Sequence, residues 1–154
     1  EPFTPMYDAY MADSRALLPM DEDLARTRAL QIGAPVLSNR KPPYSVTGGL
    51  YDALKASGGT MKKVTNTELR EACQLFEELE GIDIYSAAGV AVKSLEKAVA
   101  KGTVKPQETI MLNITGGGEK RFKSTHKIYQ KQPDLIFPID ATPEEIASKV
   151  KALF

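Results

Sequence analysis

A hydroxyl followed by three glycines is the stretch of this sequence best suited to chemistry. Thr115 precedes Gly116, Gly117 and Gly118, and Glu119, Lys120 and Arg121 follow. Glycines cost backbone entropy, so such a run exists where φ must be positive or where something must approach the backbone closely. Ile110, Met111, Leu112 and Ile114, interrupted only by Asn113, read as a short buried strand leading into the loop. Ligands in open α/β sheets bind just outside the carboxyl ends of strands, which is where this loop would sit. Thr115 would then offer its hydroxyl beside backbone that a flat ligand can approach. Ser86, at a helix start, is a second ligand-facing candidate, because free N–H groups there favour an anion. Lys120, Arg121 and Lys123, and separately Arg40 with Lys41, could steer a dianionic substrate. The plainer alternatives are a tight turn and solvated surface charge.

Other devices are absent. Glycine, four residues, then Gly–Lys–Ser/Thr does not occur, and Gly116 to Gly118 are contiguous, unlike a dinucleotide fingerprint. There is no Gly-x-Ser-x-Gly nucleophile motif, and His126, the single histidine, has no clear serine or cysteine partner. A metal site would need carboxylates at spacings that are not seen. Cys73, the single cysteine, lies on an apolar helical face and reads as a small core residue. With no intrachain disulfide possible, a cytoplasmic location is the default. Twenty basic and twenty acidic residues cancel, tryptophan is absent, and no aromatic–basic stripe offers a stacking platform, so nucleic acid is not an expected partner. No apolar run approaches a membrane span, and no signal peptide is visible.

The elements that must position these residues read as alternating strands and helices. Helices are expected over residues 5–14, 21–30, 50–56, 66–80, 87–101 and 142–154. Thr65–Glu68 has capping-box spacing and opens a helix with Leu69, Ala72, Cys73, Phe76 and Leu79 on one face. Pro143 at a first helical position marks the last helix. Strands are expected over 60–64, 82–84, 110–114, 127–130 and 135–139. Strands separated by amphipathic helices imply an α/β fold, a mostly parallel sheet covered by helices. A long irregular stretch, residues 36–44, contains Pro42 and Pro43; such a loop inside a domain is either functional or a surface linker. At 154 residues and 42% hydrophobic, the chain is in the single-domain range. It begins at Glu1 without a methionine, and is expected to be the C-terminal portion of a longer protein.

The block Gly81 to Val92, followed by Thr109 to Arg121, resembles the C-terminal part of fold-type II enzymes that use pyridoxal 5'-phosphate, in the threonine synthase branch (the tryptophan synthase beta-like large domain). In that branch a Thr–Gly–x–Gly motif closes a strand near the cofactor ring, and an Ile–Gly–x–Pro segment lines the site. Both occur, as Thr115–Gly116–Gly117–Gly118 and Ile32–Gly33–Ala34–Pro35. The segment Pro42 to Leu54, together with Asn113–Ile114 and the glycines, is similar to the cysteate synthases, archaeal relatives of threonine synthase. The similarity runs from about Phe3 to Arg121.

What the resemblance implies is a transferase that replaces the phosphate of O-phospho-L-serine with sulfite, yielding L-cysteate for coenzyme M synthesis in methanogens. Thr115 would hold its hydroxyl near the pyridine nitrogen, a weaker electron sink than a pyridinium held by aspartate, which suits β-replacement. Gly116, Gly117 and Gly118 would lie against the cofactor, with Gly33, Ala34 and Pro35 at another edge. Ser86 and Lys120 are the substrate candidates. The Schiff-base lysine, the cofactor-phosphate loop and the asparagine at the ring hydroxyl are expected upstream of Glu1, so no catalytic residue is assigned here and the chain alone is expected to be inactive. Related enzymes are commonly homo-oligomers. Two rivals stand: threonine synthase acting on O-phosphohomoserine, and a non-catalytic anion- or nucleotide-binding α/β module.

Overall fold

The computed structural model describes residues 1–154 and contains seven α-helices: α1 (Pro5–Met11), α2 (Glu22–Leu30), α3 (Leu50–Ser57), α4 (Asn66–Glu80), α5 (Ser86–Ala100), α6 (Glu119–Thr125) and α7 (Pro143–Lys151). Their ends follow local chemistry. The Asp21 carboxylate accepts the Leu24 N–H at 2.8 Å to cap α2. Thr65 with Glu68, and Thr142 with Glu145, form reciprocal capping boxes on α4 and α7, satisfying two N–H groups each. Gly81 stops α4 with φ +70°, a left-handed conformation that costs glycine little. Tyr85, not Ser86, is the N-cap of α5, so Ser86 is its first helical residue.

The expected parallel sheet does not form. The chain is 47% helix and 1% strand, and its β-pairing is one antiparallel bridge, Ile84 with Gly117. The expected strands over 60–64, 110–114, 127–130 and 135–139 are absent, and 82–84 contributes only that bridge. The α/β fold class is therefore wrong for this chain. The physical reason is legible at 111–115. Met111, Asn113 and Thr115 are exposed while Leu112 and Ile114 are half-buried, the period-two alternation of a strand. A strand also needs neighbours to take its backbone hydrogen bonds, and the one β-pairing in this chain, Ile84 with Gly117, lies outside 110–114.

Residues Glu1–Phe122 form one compact unit and Lys123–Phe154 a second. In the first, α4 packs on α5. Ala34, Val64 and Leu69 are buried together, with Ile32, Cys73 and Val90 against them. Gly89 permits the close approach: a Cβ there would lie 2.4 Å from Cys73 Sγ and 2.8 Å from Leu69 Cδ1. Burying a leucine such as Leu69 contributes about 1.5–3 kcal/mol.

A tyrosine cluster organises the other end of this unit. Tyr44 is 1% exposed and stacks edge-on against Tyr51 at 5.8 Å, and Tyr51 meets Tyr10 at 6.2 Å. Their hydroxyls donate to Ser14 O, Asp13 Oδ1 and Gly59 O respectively, for Tyr44, Tyr51 and Tyr10. Arg15 grips Asp52 through two bonds of 2.5 and 2.6 Å, and Asp52 also accepts the Gly48 N–H at 2.7 Å. Residues 42–49 are thereby tied to α3 and to Ser14, just beyond α1. In the second unit α7 has no buried residue, and Lys149 lies over the Phe137 ring.

Candidate functional site

The glycine loop is held by the segment that leads into α5. Asp83 O accepts the Gly118 N–H at 2.7 Å, and the Tyr85 N–H donates to Gly116 O at 2.9 Å. The Asp83 carboxylate accepts the N–H groups of Glu119 at 3.0 Å and Lys120 at 3.2 Å. The loop thus rests directly against the start of α5, bringing Ser86 and the Thr115–Gly118 run together. The N–H groups in the first turn of α5 carry no side-chain cap, so an anion beside Thr115 would find free donors there. Ser86 is half-buried; Thr115 is exposed, on the same side of its segment as Asn113.

Each glycine answers a contact within the protein. A Cβ on Gly117 would sit 2.2 Å from Asp83 O, one on Gly116 would sit 2.8 Å from the Tyr85 ring, and Gly118 has φ +77°. The run therefore permits backbone to lie on backbone. It is not a cradle for a phosphate, since the amides of Gly118, Glu119 and Lys120 already have Asp83 as acceptor. Thr115 is the side chain that this run leaves exposed at its edge.

The other sequence candidates lie apart from this point. The Gly33 N–H donates to Asn66 Oδ1 at 2.8 Å, and Asn66 Nδ2 donates to Gln31 O, so Ile32–Pro35 is clamped to the first turn of α4. Ala34 is buried, Pro35 opens a 3-10 turn, and a cavity of about 150 Å³ lined by Phe3, Met6, Ile32, Ala34 and Leu69 lies alongside. Lys120 Nζ instead pairs with Glu77 near the far end of α4, at 2.6 Å, which raises its pKa. Asn66 and Glu77 are roughly 16 Å apart along the helix. The structure thus joins Ser86 to the glycine loop and leaves Gly33, Ala34 and Pro35 at the opposite end of α4.

Arg40 and Lys41 both face Glu22, at 3.1 and 3.6 Å. Burial pushes the Cys73 thiol up, away from a reactive thiolate. No cluster of His, Cys, Asp or Glu is gathered for a metal ion, and no helix is long and apolar enough to cross a membrane. Asp83 and Tyr85 are contributors that the residue reading passed over. Their one signal was an acidic residue inside the short apolar run Ile82–Ile84.

No family profile matches the chain, and no solved structure matches it. Curated proteins do. The chain is 47% identical over 135 residues to the cysteate synthase of Methanosarcina mazei, covering 87% of this chain and 32% of that protein. It is 40% identical over 151 residues to that of Methanospirillum hungatei, covering 98% of this chain and 36% of the relative. It is 41% identical over 152 residues to that of Methanocella arvoryzae, with the same two shares. These relatives are enzymes of methanogenic archaea that carry one name. The chain belongs to the cysteate synthase family, and it spans about a third of the length of the curated relatives it matches.

Proposed function

We infer that the chain is the C-terminal portion of a cysteate synthase, and that the full-length protein replaces the phosphate of O-phospho-L-serine with sulfite. The C–O bond to phosphate breaks, a C–S bond to sulfite forms at the same carbon, and L-cysteate and inorganic phosphate leave. The observation that carries this reading is the identity of 40–48% over nearly the whole chain to proteins of that name. Pyridoxal 5'-phosphate, when bound, supplies an electron sink for the charge that develops on the α-carbon.

In this reading Thr115 is the hydroxyl assigned to the ring nitrogen, and the loop Gly116 to Gly118 keeps it there. The uncapped first turn of α5, with Ser86, receives an anionic group of the substrate. Lys120 is paired with Glu77 at the rim, and Gly33, Ala34 and Pro35 brace the first turn of α4. No lysine here is assigned the covalent role, so the 154-residue chain alone is inactive. A coenzyme M pathway, a cytoplasmic location and a homo-oligomeric state belong to the same proposal.

Thr115→Ala in the full-length protein tests the assignment. Losing one preorganised hydrogen bond to the reacting system is expected to cut kcat roughly 100-fold, with the circular dichroism of the fold unchanged. Unchanged turnover would remove Thr115 from the site.

A further inference from the structure

We propose that Asp83 is a positioning residue for the reaction, fixing the direction of Thr115 by clamping the glycine loop against the start of α5. Three consecutive glycines are the least self-supporting backbone a chain can offer, so a hydroxyl at their edge points one way only if the loop is held from outside. Asp83 does the holding with both its parts. Its carbonyl takes the Gly118 N–H at 2.7 Å, and its carboxylate takes the N–H groups of Glu119 and Lys120 at 3.0 and 3.2 Å. Gly117 lies directly on it, where no side chain could fit. One residue therefore meets positions 117 to 120 in unbroken succession.

The carboxylate suits this place better than a neutral group would. It faces the N–H groups at the start of α6, where negative charge is favoured, and the Lys120 ammonium lies near enough to feel its charge. The same short segment continues through Tyr85, whose N–H holds Gly116 O, into α5. The loop and the anion-accepting helix start are thus referenced to one another through Asp83–Tyr85. The inference rests on the reading of Thr115 given above.

The test uses the full-length protein loaded with pyridoxal phosphate, as wild type, Asp83→Ala and Asp83→Asn. Hydrogen exchange is followed on peptides spanning 116–122, alongside the visible circular dichroism of the bound cofactor and the steady-state constants for O-phosphoserine. Asp83→Ala removes the carboxylate but not the carbonyl, and is expected to speed exchange at 119–120, alter the cofactor's circular dichroism and lower kcat by roughly 100-fold, as misplacement by about 1 Å can do, with KM little changed. Asp83→Asn keeps an acceptor and the fold, and is expected to recover most of the loss. Faster exchange with an unaltered cofactor spectrum and kcat would reduce Asp83 to a structural cap. Unchanged exchange would show that the clamp is not made. A wild-type protein that binds no pyridoxal phosphate would overturn the functional reading, and the role given to Asp83 with it; the exchange data would separate that failure from failure of the clamp.

Discussion

Glu68 serves two partners at the start of α4. Its carboxylate accepts the Thr65 N–H at 2.8 Å and pairs with Lys97 on α5 at 2.6 Å, so it closes the helix end and joins two helices. Lys97 first, then the Thr65 N–H, hold its pKa at about 2, below the ordinary 4.5. A depressed carboxylate stabilises the fold above its unfolded pKa and loses that contribution as the pH falls. Denaturation midpoints are therefore expected to drop from about pH 4.5 towards pH 2. Glu68→Gln, which preserves the capping box but not the ion pair, should flatten that part of the curve. An equally steep curve in the variant would place the acid sensitivity elsewhere. Thr65→Ala is expected to cost about 1 kcal/mol in urea denaturation at neutral pH. The Thr65–Glu68 cap was legible in sequence because its chemistry spans three positions. The purpose of Gly117 was not, since its reason is a carbonyl at Asp83, far away in the chain.

At the level of elements, α4 and α5 depend on Gly89. Adding a methyl there forces Cys73 Sγ and Leu69 Cδ1 to move, and overpacking of this kind costs about 1–3 kcal/mol. Gly89→Ala should lower stability in that range. Cys73→Ala in the same chain should return part of it, because the two changes share one space; strict additivity in a double-mutant cycle would show that they do not touch. The helices were readable because caps, glycine stops and apolar periodicity are local. The exception, α6, looked like a solvated basic patch, since its cap comes from Asp83, 36 residues before Glu119. The strands failed for the converse reason. The alternation at 111–115 is real, but pairing is a non-local property and this chain provides one bridge. Amides at 110–114 are accordingly expected to exchange with solvent far faster than those of α4. Protection equal to that of α4 would mean that a paired strand exists in solution.

The whole molecule carries little core for its size. Nine apolar residues are buried, whereas Met111 is 96% exposed and Leu30 83%. The chain spans about a third of its relatives' length. The sequence pointed to Thr115–Gly118 and Ser86, and those do adjoin. Gly33, Ala34 and Pro35 were grouped with them only through the family resemblance, as a second motif, and they lie against the other end of α4. The central claim concerns chemistry, and the full-length protein with pyridoxal phosphate tests it most directly. It is given O-phospho-L-serine with and without sulfite, and phosphate and cysteate are measured. Phosphate release that requires sulfite, matched by cysteate formed, is the result expected here. No reaction with O-phosphoserine, but phosphate release from O-phosphohomoserine in water, would contradict it and make the parent a threonine synthase.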